Sequence, residues 1–521
     1  MPQSSPTVWH THIGTEEPRE DVVWQVAFDP DFEVVIAEGN TFASAWNDHT
    51  VKIDALLPSS GTTYYYRFYA KGVWSMVGRT KTAAQNDDHL RLALVSCSSI
   101  WSGYMNAYQC IAERDDLDLL IHCGDYIYDL VDKNELRNMP HDPLDSETLH
   151  DLTSHRRRFR YYRKDPFLRR AHQQHPWAIV WDNHDIWTLA TRSEAIQAFH
   201  EWTPIRAPNP VDPNVIYRSL DFGSLARIML LDTRHIGRDA NAKIEGSDEP
   251  SMLGEEQFRW LSQRLESSGA DYNILVNQVL MARLDLLKIP LIKKSWASYD
   301  AERQRVSSLL QKTNHASNLV LTGDLHISFA ADLEWEQKPV AVEFLPTSVT
   351  RGNLDESLGS FLAKWGSKLA LPLIKKENPH IRYFEGTRHG YGLVNLSRRK
   401  ATLELWHVPH EEQSTAEVLA FVGTIAQGTQ GLEIVPLEPS ASGALVQPAP
   451  NEPRLYDKGE EFGGLKGDYF DSEERLNLKS RLSTVYLYGL TKLKGMEWIY
   501  EDGSRLSAGS ISGWSQSYTL Q

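Results

Sequence analysis

The sequence predicts an α/β chain in two parts, a small all-β module followed by a layered α/β core. Three observations carry that reading. Residues up to about Thr82 form short candidate strands between turn signals, and from Leu90 onward buried strands alternate with helical patterns. The helical patterns fall between the strands, the order that covers a sheet on its faces. At 521 residues the chain exceeds one compact core and divides into two or three domains. The boundaries read from composition are 1–85 for an Ig- or fibronectin-like β-sandwich, 86–410 for the α/β core, and 411–521 for a C-terminal extension, either a packed lid or a loose tail.

In the first part, Val22 to Phe28 is a strand closed by Asp29, Pro30 and Asp31. His49 to Leu57 alternates in part before the turn Pro58 to Gly61, and Thr62 to Tyr69 is dense in the aromatic and β-branched residues that suit a pleated surface. The polar stretch Ala83 to His89 reads as a linker. In the core, Leu92 to Val95, Leu117 to Ile121, Ala178 to Trp181, Ala226 to Leu231, Ile274 to Val279 and Leu319 to Thr322 read as buried strands. Tyr104 to Arg114, Glu255 to Leu265 and Ala301 to Lys312 read as helices. Val340 to Leu345, Gly392 to Leu396 and Thr402 to Val408 add strands with short connections, and Leu432 to Val435 is a further candidate. Pro436 to Pro453 resembles a linker, and Leu455 to Gln521 carries aromatics and glycines without a clear period.

Charge narrows the function classes. With 54 basic and 69 acidic residues the formal charge is −15, a poor general match to nucleic acid or an anionic membrane, and no specific nucleic-acid binding is expected. An anionic substrate would need local cations. Three cysteines, Cys97, Cys110 and Cys123, make no disulfide framework, and the last two read as inert core residues. No apolar run reaches the roughly 18 to 20 residues of a membrane helix, and Met1 to Trp9 lacks the charged and apolar regions of a secretory signal.

The chemistry concentrates where strands end. Leu92 to Val95 runs into Ser96 and Cys97; Leu117 to Ile121 runs into Gly124, Asp125 and Tyr128. Ala178 to Trp181 ends at Asp182, Asn183, His184 and Asp185, Ala226 to Leu231 at Asp232, Thr233 and Arg234, and Leu319 to Thr322 at Gly323, Asp324 and His326. Singly, each has a bland reading: Gly–Asp turns follow many strands, Asn–His often opens a helix, and a lone Cys or Tyr is usually packing. Five strand ends carrying such groups together point to one shared site, because open α/β sheets bind ligands beyond the carboxyl ends of their strands. Carboxylate and amide oxygens suit hard cations, whereas thiolate and phenolate stabilise a trivalent or softer metal. Two metals clamp a phosphoryl group and activate a water, with a His and an Arg to serve the proton and the phosphate oxygens.

Together, Ser96–Cys97, Gly124–Asp125–Tyr126–Ile127–Tyr128, Asp182–Asn183–His184–Asp185 and Gly323–Asp324–Leu325–His326 resemble the alkaline phosphatase D (PhoD) family of the calcineurin-like metallophosphoesterases. Leu231 to Arg234, Trp296 to Arg303 and Pro346 to Val349 are similar to further blocks of that family, as are Val51 to Ala55, Gly61 to Phe68 and Val77 to Thr82 at the front. The resemblance covers roughly residues 8 to 410. It implies a four-layer metallophosphoesterase β-sandwich flanked by helices and a dinuclear centre of Fe3+ and Ca2+. By the same resemblance Cys97 is a thiolate ligand of iron, Asp125 bridges the metals, Tyr128 is a phenolate ligand of iron and His326 lies on the iron side. Asn183 and Asp324 would serve the second metal, His184 would face the substrate, and Arg234 is the candidate phosphate clamp.

The function this implies is hydrolysis of phosphate esters, as an alkaline phosphatase or phosphodiesterase using metal-activated water. Two alternatives stand beside it: a phospholipase D-like phosphodiesterase, and a non-catalytic binding protein on the same fold, which would require a lost ligand where none is lost. The family is usually exported while the chain shows no signal as numbered, so its location is left open. The basic stretch His155 to Arg170, with eight Arg or Lys around Tyr161 and Tyr162, reads as a solvated helix face, with a phosphate-rich partner as the other option.

Overall fold

Side-chain parity along the central strands explains the layering. In the computed structural model, Leu319 and Leu321 of strand Ser317–Thr322 enter one hydrophobic core while Val320 enters another. Ile274 and Val276 split in the same way from Leu275, Ile228 and Leu230 from Met229, and Val342 and Phe344 from Ala341. Successive side chains on a strand face opposite ways, so a strand apolar at both parities has to be covered on both sides. One side meets a second sheet. The other packs on helices Gly254–Glu266 and Asp300–Lys312 through Leu261, Leu265, Val306 and Leu310.

Each sheet has seven strands. The first runs Trp177–Ile179, Leu119–His122, His89–Val95, His389–Ser397, Lys400–Val408, Val418–Ala426, Glu433–Ile434. The second runs Arg218–Phe222, Ala226–Leu230, Tyr272–Asn277, Ser317–Thr322, Lys338–Leu345, Ser328–Trp335, Ile381–Glu385. Leu92, Leu94, Leu393 and Leu403 of the first share a core with Ile274, Leu321 and Phe344 of the second. Helices Asn106–Ala112 and Pro166–Gln174 add Tyr108, Ile111, Leu168 and Ala171 to the same core, completing the expected helix–sheet–sheet–helix order. Pairing is parallel between His89–Val95 and Leu119–His122, between Leu119–His122 and Trp177–Ile179, and along Ala226–Leu230, Tyr272–Asn277 and Ser317–Thr322. Parallel strands end on the same edge, and that edge carries the site.

Ahead of this core a five-stranded sheet places Arg19–Ala27 between Val35–Ser44 and Thr63–Ala70, with Gly78–Lys81 and Val73–Trp74 on the latter. Trp9–His12 pairs separately with Thr50–Ile53. Val22, Val26, Tyr64 and Phe68 form the small core between them.

The structure describes residues 3–4, 9–14, 17–85, 88–130, 137, 149–186, 189–209, 211–239, 250–286, 289–292, 294–313, 315–353 and 376–436, and the strands within 482–519. The linker read over Pro436 to Pro453 lies outside them from 437 on. Residues 1–450 cluster as one compact unit and 451–521 as another. The boundary read near 410 falls between two paired strands, since Lys400–Val408 and Val418–Ala426 are neighbours in one sheet. The later unit contains an antiparallel sheet ordered Arg505–Gly509, Gly495–Tyr500, Leu482–Tyr488, Ser515–Thr519.

The basic stretch differs from its expected solvated face. Arg156 forks onto Glu201 at 2.6 and 2.7 Å and donates to Trp46 O, Arg160 pairs with Asp48 at 2.7 Å, and Arg158 is fully buried with its guanidinium on Tyr128 O. Helix Leu152–Tyr162 thus joins the turn that follows strand Val35–Ser44 to the core, which is why its arginines are spaced around the helix and not along one side.

Candidate metal centre

The turn after strand Leu119–His122 is built by a glycine that no other residue replaces easily. Gly124 sits at φ +104°, and a Cβ there would lie 2.5 Å from Asp182 Cβ and 2.7 Å from Asp182 N. That contact brings two strand-end turns together. Asp185 then ties them, its carboxylate accepting from Asp125 N at 2.8 Å, Asp182 N at 2.9 Å and Ile127 N at 3.1 Å. A third turn docks through Cys97 N donating to Gly124 O at 3.1 Å and Ser98 N donating to Asp125 O at 3.0 Å.

Cys97, Asp125, Asp324 and His326 all adopt left-handed backbone, with φ of 57°, 54°, 63° and 54°. Each such residue costs about 1–3 kcal/mol unless its surroundings over-determine it. Four of them around one point mark a site held against local preference.

Their side chains converge. The candidate donor atoms of Cys97, Asp125 and His326 all lie within 4.8 Å of one another. The Tyr128 hydroxyl donates to Asp125 Oδ2 at 3.1 Å, is 3.4 Å from His326 Nε2, and Cys97 Sγ is 3.8 Å from the same Asp125 oxygen. His326 Nδ1 donates to Gly352 O at 2.7 Å, which leaves Nε2 bare on the side of the cluster, the orientation a metal-binding imidazole needs. Asp125 Oδ1 accepts from His184 N at 3.0 Å. Asn183 lies in the same turn, its N–H donating to Asp182 Oδ1 at 2.6 Å, and Asp324 faces Asp182 across Arg234, whose Nε and one Nη donate to the two carboxylates.

The electrostatics fit a bound cation. Asp182 is fully buried and its Oδ2 has no hydrogen-bond partner, a state that costs several kcal/mol for a carboxylate oxygen unless a cation meets it. Burial, opposed by Arg234 and reinforced by Asp125 and Asp324, pushes the Asp182 carboxyl well up. Burial and then Asp125 hold the Cys97 thiol and the Tyr128 phenol well above their usual ranges. A multivalent cation reverses that preference and ionises both groups. Three carboxylates, those of Asp125, Asp182 and Asp324, with one thiol, one phenol and one imidazole suit a metal pair of mixed hardness.

Two groups escaped sequence reasoning. Asp129, 4% exposed, places Oδ1 2.6 Å from His184 Nδ1, and it follows the Tyr128 block by one residue, where nothing in its neighbours distinguishes it from a turn acid. Burial lowers the His184 pKa, but Asp125 and the Asp129 bond outweigh it and the net shift is upward. Arg351 lays its guanidinium 4.4 Å from the centre of the Tyr128 ring and donates its backbone N–H to Cys97 O at 3.3 Å. It follows the Pro346 to Val349 block, which is the signal that would have found it. Arg234 lies where the sequence placed it, in the cluster, with its fork on carboxylates.

Mixed sheets stacked face to face, with an acidic cluster bearing thiol, phenol and imidazole at their shared strand-end edge, define a metal-dependent phosphoesterase of the metallophosphoesterase class. Comparison with known proteins makes the assignment specific. The profile of the family described as PhoD-like phosphatase matches residues 92–405, and that of its N-terminal domain matches residues 2–84. Alkaline phosphatase D of Bacillus subtilis (strain 168) is 31% identical over 443 residues, covering 77% of this chain and 72% of that protein. A solved structure of PhoD superposes with a TM-score of 0.72 at 28% identity, over 85% of this chain and 92% of that one. The purple acid phosphatase PPD1 from yellow lupin (Lupinus luteus) seeds shares the fold at a TM-score of 0.50 and 9% identity, over 82% of this chain and 74% of that one. The chain belongs to the PhoD-like phosphatase family and is a phosphoric ester hydrolase.

Proposed function

We propose that the chain hydrolyses phosphate mono- or diesters at a dinuclear centre of Fe3+ and Ca2+. The observation that supports it is the convergence of Cys97, Asp125 and His326 donor atoms within 4.8 Å, beside the Tyr128 hydroxyl. Cys97, Tyr128 and His326 would hold the iron, Asn183 and Asp324 the calcium, and Asp125 both; Asp182, with its orphaned oxygen, is a further candidate ligand. When bound, such metals draw charge from the phosphoryl oxygens and acidify a water.

The chain's own residues supply the rest. His184, with its Nδ1 2.6 Å from Asp129, would carry a proton on the ring edge away from Asp129 and give it to the leaving oxygen. Asp129 fixes the ring's tautomer. A cation taking the Asp324 carboxylate would compete with Arg234 for it, which frees the guanidinium to hold phosphate oxygens. Arg351, beside Tyr128, adds a second positive group at the same edge.

Absorption spectroscopy with metal analysis tests the iron. Purified protein is expected to show a visible phenolate-to-iron band that Tyr128→Phe removes while iron stays bound. Colourless, iron-free protein with full esterase activity would refute the metal assignment.

A further inference from the structure

A second charged cavity lies away from the metal turns, where the N-terminal sheet meets the core. It measures about 30 Å3, against the roughly 10–15 Å3 that one water requires. His10 and Arg79 from the N-terminal part and Arg163, His172 and His175 from the core line it, and no lining residue carries a carboxylate.

The hydrogen bonding inside it is incomplete in a particular way. Arg79 is 3% exposed and gives its two terminal nitrogens to Gln174 O and Asp115 O, leaving Nε buried without a partner. Arg163 gives one terminal nitrogen to Trp202 O, lies 5.7 Å from the Tyr126 ring centre, and also leaves Nε buried without a partner. Both guanidinium groups therefore meet backbone carbonyls and a ring face. Among the described residues no acid forms an ion pair with either guanidinium: Asp116 pairs with Arg91, Asp118 with Lys81 and Glu201 with Arg156, and Asp115, Asp118 and Asp116 act on Arg79 only through space. His175 donates Nε2–H to Ile111 O at 2.9 Å, so its buried, unpartnered Nδ1 is a bare acceptor.

Two arginines and a histidine with a bare ring nitrogen, lining a cavity larger than a water and free of carboxylate, describe a site for a protonated oxyanion. Waters satisfy donors but bring no negative charge to the buried Arg79 and the half-buried Arg163, neither of which has an ion-pair partner among the described residues, and that compensation is worth most where water is scarce. Hydrogenphosphate has P–O⁻ groups for Arg79 and Arg163 and a P–OH for His175 Nδ1. We propose that this cavity binds inorganic phosphate, the product of the enzyme's own reaction, as a second site independent of the metal centre. The bound anion bridges the N-terminal sheet to the core. It also reaches the metal turn, because His172 lies 2.9 Å from the Tyr126 hydroxyl and Tyr126 adjoins Asp125.

Equilibrium dialysis of the metal-loaded full chain against labelled phosphate tests this. Two phosphates per chain are expected in the natural protein and one in Arg163→Gln, with the remaining site at its original affinity and the lost one weakened at least tenfold. The same count at the same affinity in the natural protein and in Arg163→Gln overturns the proposal, whether or not the metal centre also holds a phosphate. Should Arg163→Gln fail to fold, crystals of the natural protein soaked in arsenate decide it. An anomalous peak between Arg79, Arg163 and His175 supports the site, and waters alone there refute it. Because the cavity holds no proposed metal ligand, its occupancy is read separately from any failure of the iron and calcium assignment.

Discussion

At the strand-end edge, Asp125, Asp182, Asp185 and Asp324 crowd together with Arg234 bonded to two of them, while at the junction Arg79, Arg163 and three histidines line a cavity with no carboxylate. Both regions bury like charges, and they are held differently. The strand-end site rests on backbone: Cys97, Asp125, Asp324 and His326 adopt left-handed φ, and the turns are locked by Gly124 and the Asp185 bonds. The cationic junction rests on side chains that reach carbonyls of the other sheet or helix, such as Arg79 to Gln174 O and Gln173 to Val77 O. Backbone placement fixes donor positions before any ligand arrives, which suits catalysis. Side-chain placement tolerates adjustment, which suits an interface.

The sharpest way to break this contrast is at its rigid end. Asp125→Ala is expected to reduce turnover on every ester by about 10³-fold or more, since the carboxylate accepts from Tyr128, Cys97 and the His184 backbone at once. Steady-state assays on one monoester, one simple diester and one phospholipid check this; retained activity would remove Asp125 from the chemistry, and the relative rates of the natural protein define the substrate class. Next, His184→Gln should lower kcat by roughly 10²–10⁴-fold on esters with poor leaving groups and far less on activated ones, as expected for a proton donor. Equal losses on both would make His184 a binding group.

A pH experiment addresses the junction and the helices around it. Burial drives His12, His155 and His200 down to about 4, and His122 and His175 to about 3. A base whose folded pKa is depressed contributes stability that is present above its unfolded value near 6.5 and lost as pH falls toward the folded value. Denaturant midpoints should therefore drop between pH 7 and 4, at up to about 1.4 kcal/mol per pH unit for each such group. A flat profile would mean the histidines are not held neutral. The smallest effect is expected at the exposed rim of the junction, where Arg160→Ala, breaking its pair with Asp48, should cost less than about 1 kcal/mol by chemical denaturation.

Much of this was legible without coordinates because strand ends announce themselves. Apolar runs such as Leu319 to Thr322 terminate in polar residues, and in parallel sheets those ends share an edge, so Asp125, Asn183, Asp324 and His326 stand out by strand-end position and family resemblance together, while Cys97 and Tyr128 rest mainly on the resemblance. Asp129 and Arg351 escaped because their roles depend on contacts made across the fold, to His184 and Tyr128. The arginines of helix Leu152–Tyr162 were misjudged for a related reason. Charge spacing describes a helix surface but not what packs on it, and here the partner is the turn of the N-terminal part that carries Trp46 and Asp48. Strand Val418–Ala426 is defined by its two sheet neighbours, Lys400–Val408 and Glu433–Ile434, a pairing that its own residues do not announce.

The sequence by itself determined the α/β class, the order of elements and the family, and it nominated the candidate metal-type residues, since periodicity, turn chemistry and motif order are local properties of the chain. Tertiary structure alone decided which atoms meet. It turned Asp185 inward to bind three backbone amides, left Asp182 with an orphaned oxygen, and set His184 against Asp129. It also closed a positively charged cavity between two parts of the molecule distant in sequence. Burial and charge pairing depend on distances through space, and those exist only once both sheets have closed on their shared core.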